Sequence, residues 1–151
     1  MANVECRDRR SSEDNVEADL LTSSTAYRLA RALVDRLSGL VPSGVSVSST
    51  AAVVTMGSAT RSEDTEIERI VDQDGDLREN VEAAALLVLD DLQDLLSECL
   101  KAPWPPVAGA PSELVSPQVE WSGDRLRLWY GDVDRPVLEL CPIPVEELNL
   151  A

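Results

Sequence analysis

A long run of apolar residues at helical spacing, from Arg78 to Lys101, is the feature that most restricts how this chain can fold. Asp76 precedes the run and Glu79 follows three residues later, which is the spacing of a helix-capping box. The pattern predicts one apolar face, formed by Val81, Ala85, Val88, Leu92, Leu95, Leu96 and Cys99. It predicts an opposite polar face, formed by Glu79, Asp90, Gln93, Asp94, Ser97 and Lys101. The other predicted elements must be arranged around this helix.

The first half of this helix has a further property, because residues 83–89 are apolar on every side. Leu86 and Leu87 therefore point away from the main apolar stripe. A helix that is hydrophobic all round is normally buried all round. We expect either the first helix of the chain or a second subunit to cover these two leucines.

An earlier helix is predicted from about residue 15 to 38, where Gly39 and Pro42 end the helical pattern. Residues 1–13 are polar and charged without periodicity, so we expect a disordered tail. The length of 151 residues suits one domain, which we place at residues 14–148.

The apolar period changes to two residues after Gly44, which predicts one long strand or a tight hairpin up to Met56. Residues 58–76 fit either a short helix or a third strand. A Pro-rich connection at residues 102–117 leads to a three-stranded meander at residues 119–141. This order predicts an α+β fold, with two helices packed on one face of a largely antiparallel sheet of about five or six strands.

The composition argues against several classes of function. The chain has no His, and so lacks the side chain best suited to proton transfer near neutral pH and the commonest ligand of catalytic zinc. Its net charge of -15 disfavours binding to nucleic acid and to anionic membranes. We predict no catalytic residue, no cofactor and no metal site, and we interpret the acidity chiefly as an aid to solubility. A basic protein partner is the alternative.

Asp72, Asp74 and Asp76 suggest a calcium loop at first sight. In an EF-hand register, however, the first and last ligand positions would be Ile70 and Val81, which cannot bind calcium. An acidic turn before the long helix is the better interpretation. Further carboxylates are predicted to form a solvated side of that helix: Asp90, Asp91, Asp94 and Glu98.

The three cysteines show no metal-binding or redox spacing. Cys99 and Cys141 are predicted to be buried thiols, and Cys6 lies in the polar tail, which fits a reducing cytoplasm. The N-terminal residues form no apolar secretory segment, and residues 83–89 are too few to span a bilayer. We therefore expect a cytoplasmic protein without membrane association.

Arg125, Arg127 and Trp129 share one face of a predicted strand whose other face is apolar. Arg and Trp are over-represented among residues that dominate binding energy at interfaces. The predicted partner-binding surface consists of Trp104, Arg125, Arg127, Trp129, Leu86 and Leu87. The alternative is that the Arg–Trp face only protects the sheet, or is hidden beneath the Pro-rich connection.

Four short motifs, Leu92-Gln93-Asp94, Pro103-Trp104-Pro105, Leu128-Trp129-Tyr130-Gly131-Asp132 and Pro142-Ile143-Pro144, resemble small uncharacterised proteins of actinobacteria. The preference for Arg over Lys suits such a high-GC source. The resemblance covers about residues 15–148 and implies a shared fold without implying an activity.

Three hypotheses for function follow from the sequence. The first is a non-enzymatic protein–protein interaction module, such as an adaptor, a small chaperone or an assembly subunit, including a homodimer. The second is an acidic decoy that inhibits a basic protein, with residues 63–76 as part of its surface. The third is an enzyme that uses carboxylates or Tyr130, with a metal ion at the acidic turn.

Overall fold

The long predicted helix is present at Leu77–Leu100, and as the third helix of the described residues it is labelled α3. The Asp76 carboxylate caps its first turn by accepting the backbone N–H of Arg78 at 2.9 Å. Lys101 ends it in the left-handed conformation, with φ of 54°. The sequence therefore located both ends of this helix correctly.

The computed structural model describes residues 24–150. The earlier helix appears there as α1, Thr25–Leu37, which begins at the N-cap Ser24. The predicted start of this helix near residue 15 and the predicted tail at residues 1–13 lie outside the described residues.

The first sheet is antiparallel, with the order β1-β2-β3. Its strands are β1, Ser46–Thr50, β2, Val53–Gly57, and β3, Ser62–Glu66. A short helix α2, Ile67–Val71, follows β3 directly. Residues 58–76 therefore contain both of the structures between which the sequence pattern could not decide.

The second sheet has the order β4-β5-β6, and the short β7 also pairs with β5. Its strands are β4, Pro117–Ser122, β5, Arg125–Gly131, β6, Pro136–Glu139, and β7, Ile143–Pro144, which a 3-10 turn, Val145–Leu148, follows. The α+β class is confirmed. The seven strands of the described residues are divided between two antiparallel sheets, where the sequence suggested one.

The outer edge of β4, opposite β5, is partly closed. The backbone N–H of Trp121 donates to the Glu82 carboxylate of α3 at 3.0 Å. Pro117, at the start of the strand, has no N–H to donate. This edge of the second sheet therefore offers few main-chain donors to a further strand.

The two sheets and the helices share one cluster of buried apolar residues. Leu126, Leu128 and Tyr130 of β5 are fully buried, as their alternation predicted. Helix α3 packs against β4 and α2, whereas α1 packs against α2, β1 and the 3-10 turn. The core thus lies between α3 and both sheets. Helix α1 covers another side of this core and does not cover the outer face of α3.

Three details of the predicted burial are wrong. Gln93, placed on the polar face, is 4 % exposed, because its amide donates to main-chain carbonyl oxygens of the Pro-rich connection. Cys99, placed on the apolar face, is exposed, since the last turn of α3 extends beyond the core. Cys141 is half-buried and disulfide-bonded rather than a buried thiol.

Candidate functional site

Trp104, one of the predicted surface residues, belongs to the core. It is 6 % exposed, and its ring meets that of Tyr130 edge-on with 5.2 Å between the centroids. Its backbone N–H donates to the Ser97 hydroxyl at 3.1 Å, and its carbonyl oxygen accepts from Gln93 at 3.1 Å. These contacts fix the Pro-rich connection to α3 and leave little of the Trp104 indole available to a partner.

The Arg–Trp face of β5 is only partly exposed. Trp129 is 2 % exposed, and the Arg127 guanidinium carbon lies 4.4 Å from the centre of its ring. Arg127 is itself held by Glu139, to which its Nε donates at 2.7 Å. Arg127 therefore covers Trp129, as in the protective alternative, and only Arg125 of this face stays exposed.

Leu86 and Leu87, by contrast, are exposed on the surface: Leu86 is 40 % exposed and Leu87 is 39 % exposed. They line an open groove of about 440 Å³ together with Ala83, Asp90 and Pro117. We call this surface, formed by those five residues, the α3–β4 groove. The expectation that α1 covers the two leucines is wrong for the described residues, because α1 contacts α3 but leaves both side chains exposed.

The buried side of α3 determines which residues face the groove. Ala84, Ala85, Val88 and Leu89 are fully buried immediately behind it. Because residues three and four apart share one side of a helix, Ala83, Leu87 and Asp90 form the outward stripe. The groove is therefore a direct consequence of a helix whose apolar residues outnumber the positions that the core can accept.

The N-terminal half of α3 is fixed to β4 by a set of contacts centred on Trp121. The indole N–H of Trp121 donates to the carbonyl oxygen of Arg78 at 2.9 Å. The Arg78 guanidinium lies 4.8 Å from the ring centre and donates to the Gly123 carbonyl oxygen at 3.1 Å. Sequence analysis did not identify this arrangement. The contacts join the first turn of α3 to β4, the strand whose Pro117 lines the groove.

Within residues 24–150, one carboxylate, that of Asp90, lines the groove, and Asp91 is its neighbour in the chain. Asp91 is half-buried and accepts the Thr65 hydroxyl at 2.8 Å. Burial raises the pKa of Asp91, and the nearby charges of Glu63, Asp90 and Asp94 raise it further, against a lowering by Thr65. Asp91 thus departs from the solvated helix side that the sequence predicted.

No group of acidic or Cys side chains within residues 24–150 has the arrangement needed to hold a metal ion. At the acidic turn, the Asp76 carboxylate is engaged as the cap of α3. The metal-dependent alternative therefore has no support from the described residues. None of the helices in that part of the chain is both long and apolar enough to cross a membrane.

The chain matches no protein-family model, no curated protein and no solved structure. The resemblance to small actinobacterial proteins therefore stays a prediction. Arguments about function rest on the groove itself.

Proposed function

We propose that this protein is a non-catalytic protein-binding module whose contact surface is the α3–β4 groove. The observation that supports this proposal is the exposure of two adjacent leucines, Leu86 and Leu87, in the middle of a helix. Burial of apolar surface is the main favourable contribution to most protein–protein association. Contiguous exposed apolar surface rimmed by polar residues is typical of protein interaction sites.

The other large exposed apolar residues do not form a comparable surface. Leu77 and Leu100 lie at the two ends of α3, and Leu114 and Val133 lie in loops. Apolar residues that are exposed singly are normal on soluble proteins and need no partner. In the part of the chain that the structure describes, only the pair at the α3–β4 groove combines adjacency, a helical position and a concave surface.

The groove is also suited to binding because it is already ordered. The residues behind it are fully buried, and Trp121 fixes the start of α3 to β4. A partner would meet side chains whose backbone is held in place, so binding carries a smaller entropic cost of ordering. An adaptor, a small chaperone and an assembly subunit all fit such a surface.

A cytoplasmic location belongs to the same proposal. The disulfide at Cys141 counts against it, because disulfides persist mainly in oxidising compartments. Subcellular fractionation of the native cell, with an antibody against the protein, tests this part independently of the groove.

Site-specific photo-crosslinking in the native cell tests the proposed function. The photoreactive residue p-benzoylphenylalanine replaces Leu87, and a matched chain carries it at Val133, which is exposed on the β5–β6 turn. We expect a discrete crosslinked product from position 87 alone, and its loss when Leu86→Asp is added. Equal products from both positions, or a product indifferent to Leu86→Asp, contradict the proposal.

A further inference from the structure

The outward stripe of α3 changes from apolar to acidic along its length. Ala83 and Leu87 are followed by Asp90 and, one turn later, by Asp94, and all four are exposed. A partner that covers the leucines with an extended element will therefore also lie beside the two carboxylates.

These two carboxylates are not neutralised within the described residues. Glu63 and Glu98 both pair with Arg61, but no Arg or Lys among residues 24–150 pairs with Asp90 or Asp94. Burial raises the pKa of Asp91, and the negative charges of Asp90 and Asp94 add to this rise. Within residues 24–150, the groove thus ends in negative charge that no cation compensates.

This charge argues against a second copy of the chain as the occupant. A two-fold symmetric contact brings the same patch of both subunits together. Among the described residues, the lining of the groove includes Asp90 and no cation, so these residues of the two copies would contribute only like charges. Each copy also has a net charge of -15. Like charges across an interface oppose association.

The edge of β4 argues against a partner that adds a strand. Strand addition requires a row of free main-chain donors and acceptors. The N–H of Trp121 is already bonded to Glu82, and Pro117 has no N–H. The groove therefore favours an occupant that binds through side chains, as a helix does.

On these grounds, and resting on the proposed function, we infer that the α3–β4 groove binds a basic amphipathic helix of another protein. Its apolar side chains would cover Leu86 and Leu87, and its Lys or Arg side chains would lie beside Asp90 and Asp94. The apolar contact supplies most of the affinity, and the charges supply selectivity and association rate.

Fluorescence anisotropy with labelled synthetic peptides tests this inference on the full chain. The first peptide has about 18 residues, or five helical turns, with a Leu stripe and a Lys face. A second replaces every Lys by Glu, and a third has the composition of the first in an order without a stripe. We expect binding of the first peptide only, with an affinity that falls as salt is raised.

Variants of the protein locate the binding surface. Leu87→Ser should weaken binding of the first peptide about tenfold or more, since it removes an apolar contact. Asp90→Asn should weaken it about two- to fivefold at low salt and less at high salt. Val133→Ser and Asp132→Asn, on the exposed β5–β6 turn, serve as matched controls and should leave the affinity unchanged. Circular dichroism verifies that each variant is folded.

Several results would overturn the inference. If the Glu peptide binds equally well, the charge of the occupant does not matter. If the peptide without a stripe binds equally well, the interaction is non-specific electrostatic attraction. An effect of Val133→Ser as large as that of Leu87→Ser removes the groove. Sedimentation showing a dimer that Leu87→Ser dissociates would identify a second copy as the occupant. That last result would overturn the basic helix and leave the proposed function intact, whereas failed crosslinking at position 87 would overturn both.

Discussion

The hydroxyl of Tyr130 donates a 2.7 Å hydrogen bond to the main-chain carbonyl oxygen of Leu89. The bond joins the C-terminal end of β5 to the buried side of α3, one residue before Asp90 of the α3–β4 groove. Both residues are fully buried. Because the bond reaches the helix backbone, it fixes the rotation of α3 that places Leu86 and Leu87 outward.

Removal of this hydroxyl should destabilise the fold without changing its packing. Tyr130→Phe keeps the ring and its edge-on contact with Trp104. We expect the free energy of unfolding to fall by about 0.5–1.5 kcal/mol, the usual contribution of one hydrogen bond. Urea denaturation measures the change. Tyr27→Phe, at a half-buried tyrosine of α1 with no hydrogen bond from its hydroxyl to the described residues, is the control and should have no comparable effect.

The same substitution should alter the stability of the protein at alkaline pH. Burial raises the pKa of Tyr130 well above its ordinary value, and the charge of Asp90 adds to the shift. The folded protein therefore retains the proton above about pH 10, where the unfolded chain releases it. Stability must fall as the pH rises through this range. This loss should be smaller in Tyr130→Phe than in the wild type, and parallel pH profiles of the two proteins would contradict the assignment.

A second buried polar contact holds the Pro-rich connection to α3. The side-chain amide of Gln93 donates to the carbonyl oxygens of Trp104 and Val115. Gln93→Leu removes both donors and leaves two acceptors unsatisfied, so we expect a loss of about 1–3 kcal/mol in the free energy of unfolding. Gln118→Leu, at an exposed position of β4, provides the matched comparison. Equal stabilities of the two variants would show that the connection does not depend on Gln93.

Gln93 also shows where sequence reasoning stops. Asp76 marks the start of α3 because a cap and its helix are neighbours in the chain, and this prediction is confirmed. The partners of Gln93 lie 11 and 22 residues away, so helical periodicity assigned a buried amide to the polar face. The alternation of β5 likewise predicts a surface position for Trp129. It does not predict that Arg127 covers the ring, because that contact depends on side-chain conformation. The sequence indicated that Leu86 and Leu87 lie outside the main apolar stripe of the helix. It could not indicate whether another element of the fold would cover them.

Arg36 provides a further test, because it fastens α1 to the chain that follows β6. Its guanidinium donates to the carbonyl oxygens of Cys141 at 2.7 Å and Pro142 at 3.0 Å, and it pairs with Glu147. Arg36→Met should reduce the free energy of unfolding by about 1.5–3 kcal/mol, as expected for hydrogen bonds from a charged donor.

The control for Arg36 is Arg69, whose side chain is 83 % exposed and pairs with Glu66. An exposed ion pair contributes little, so Arg69→Met should change the stability by less than about 0.5 kcal/mol. Chemical denaturation of both variants under one set of conditions makes the comparison. A smaller effect at Arg36 than at Arg69 would show that its hydrogen bonds do not stabilise the fold.

The two sides of α3 should respond in opposite ways to truncation. Leu87 keeps 39 % of its surface exposed and lies outside the buried core, so Leu87→Ser should lower the free energy of unfolding by about 1 kcal/mol or less. Leu89, two residues further on, is fully buried, and Leu89→Ala should lower it by about 2–5 kcal/mol through lost contacts and a residual cavity. Urea denaturation of the two variants tests both values. A large loss at Leu87 would mean that its side chain already belongs to the core of the single chain, in which case the α3–β4 groove has no leucine to offer a partner.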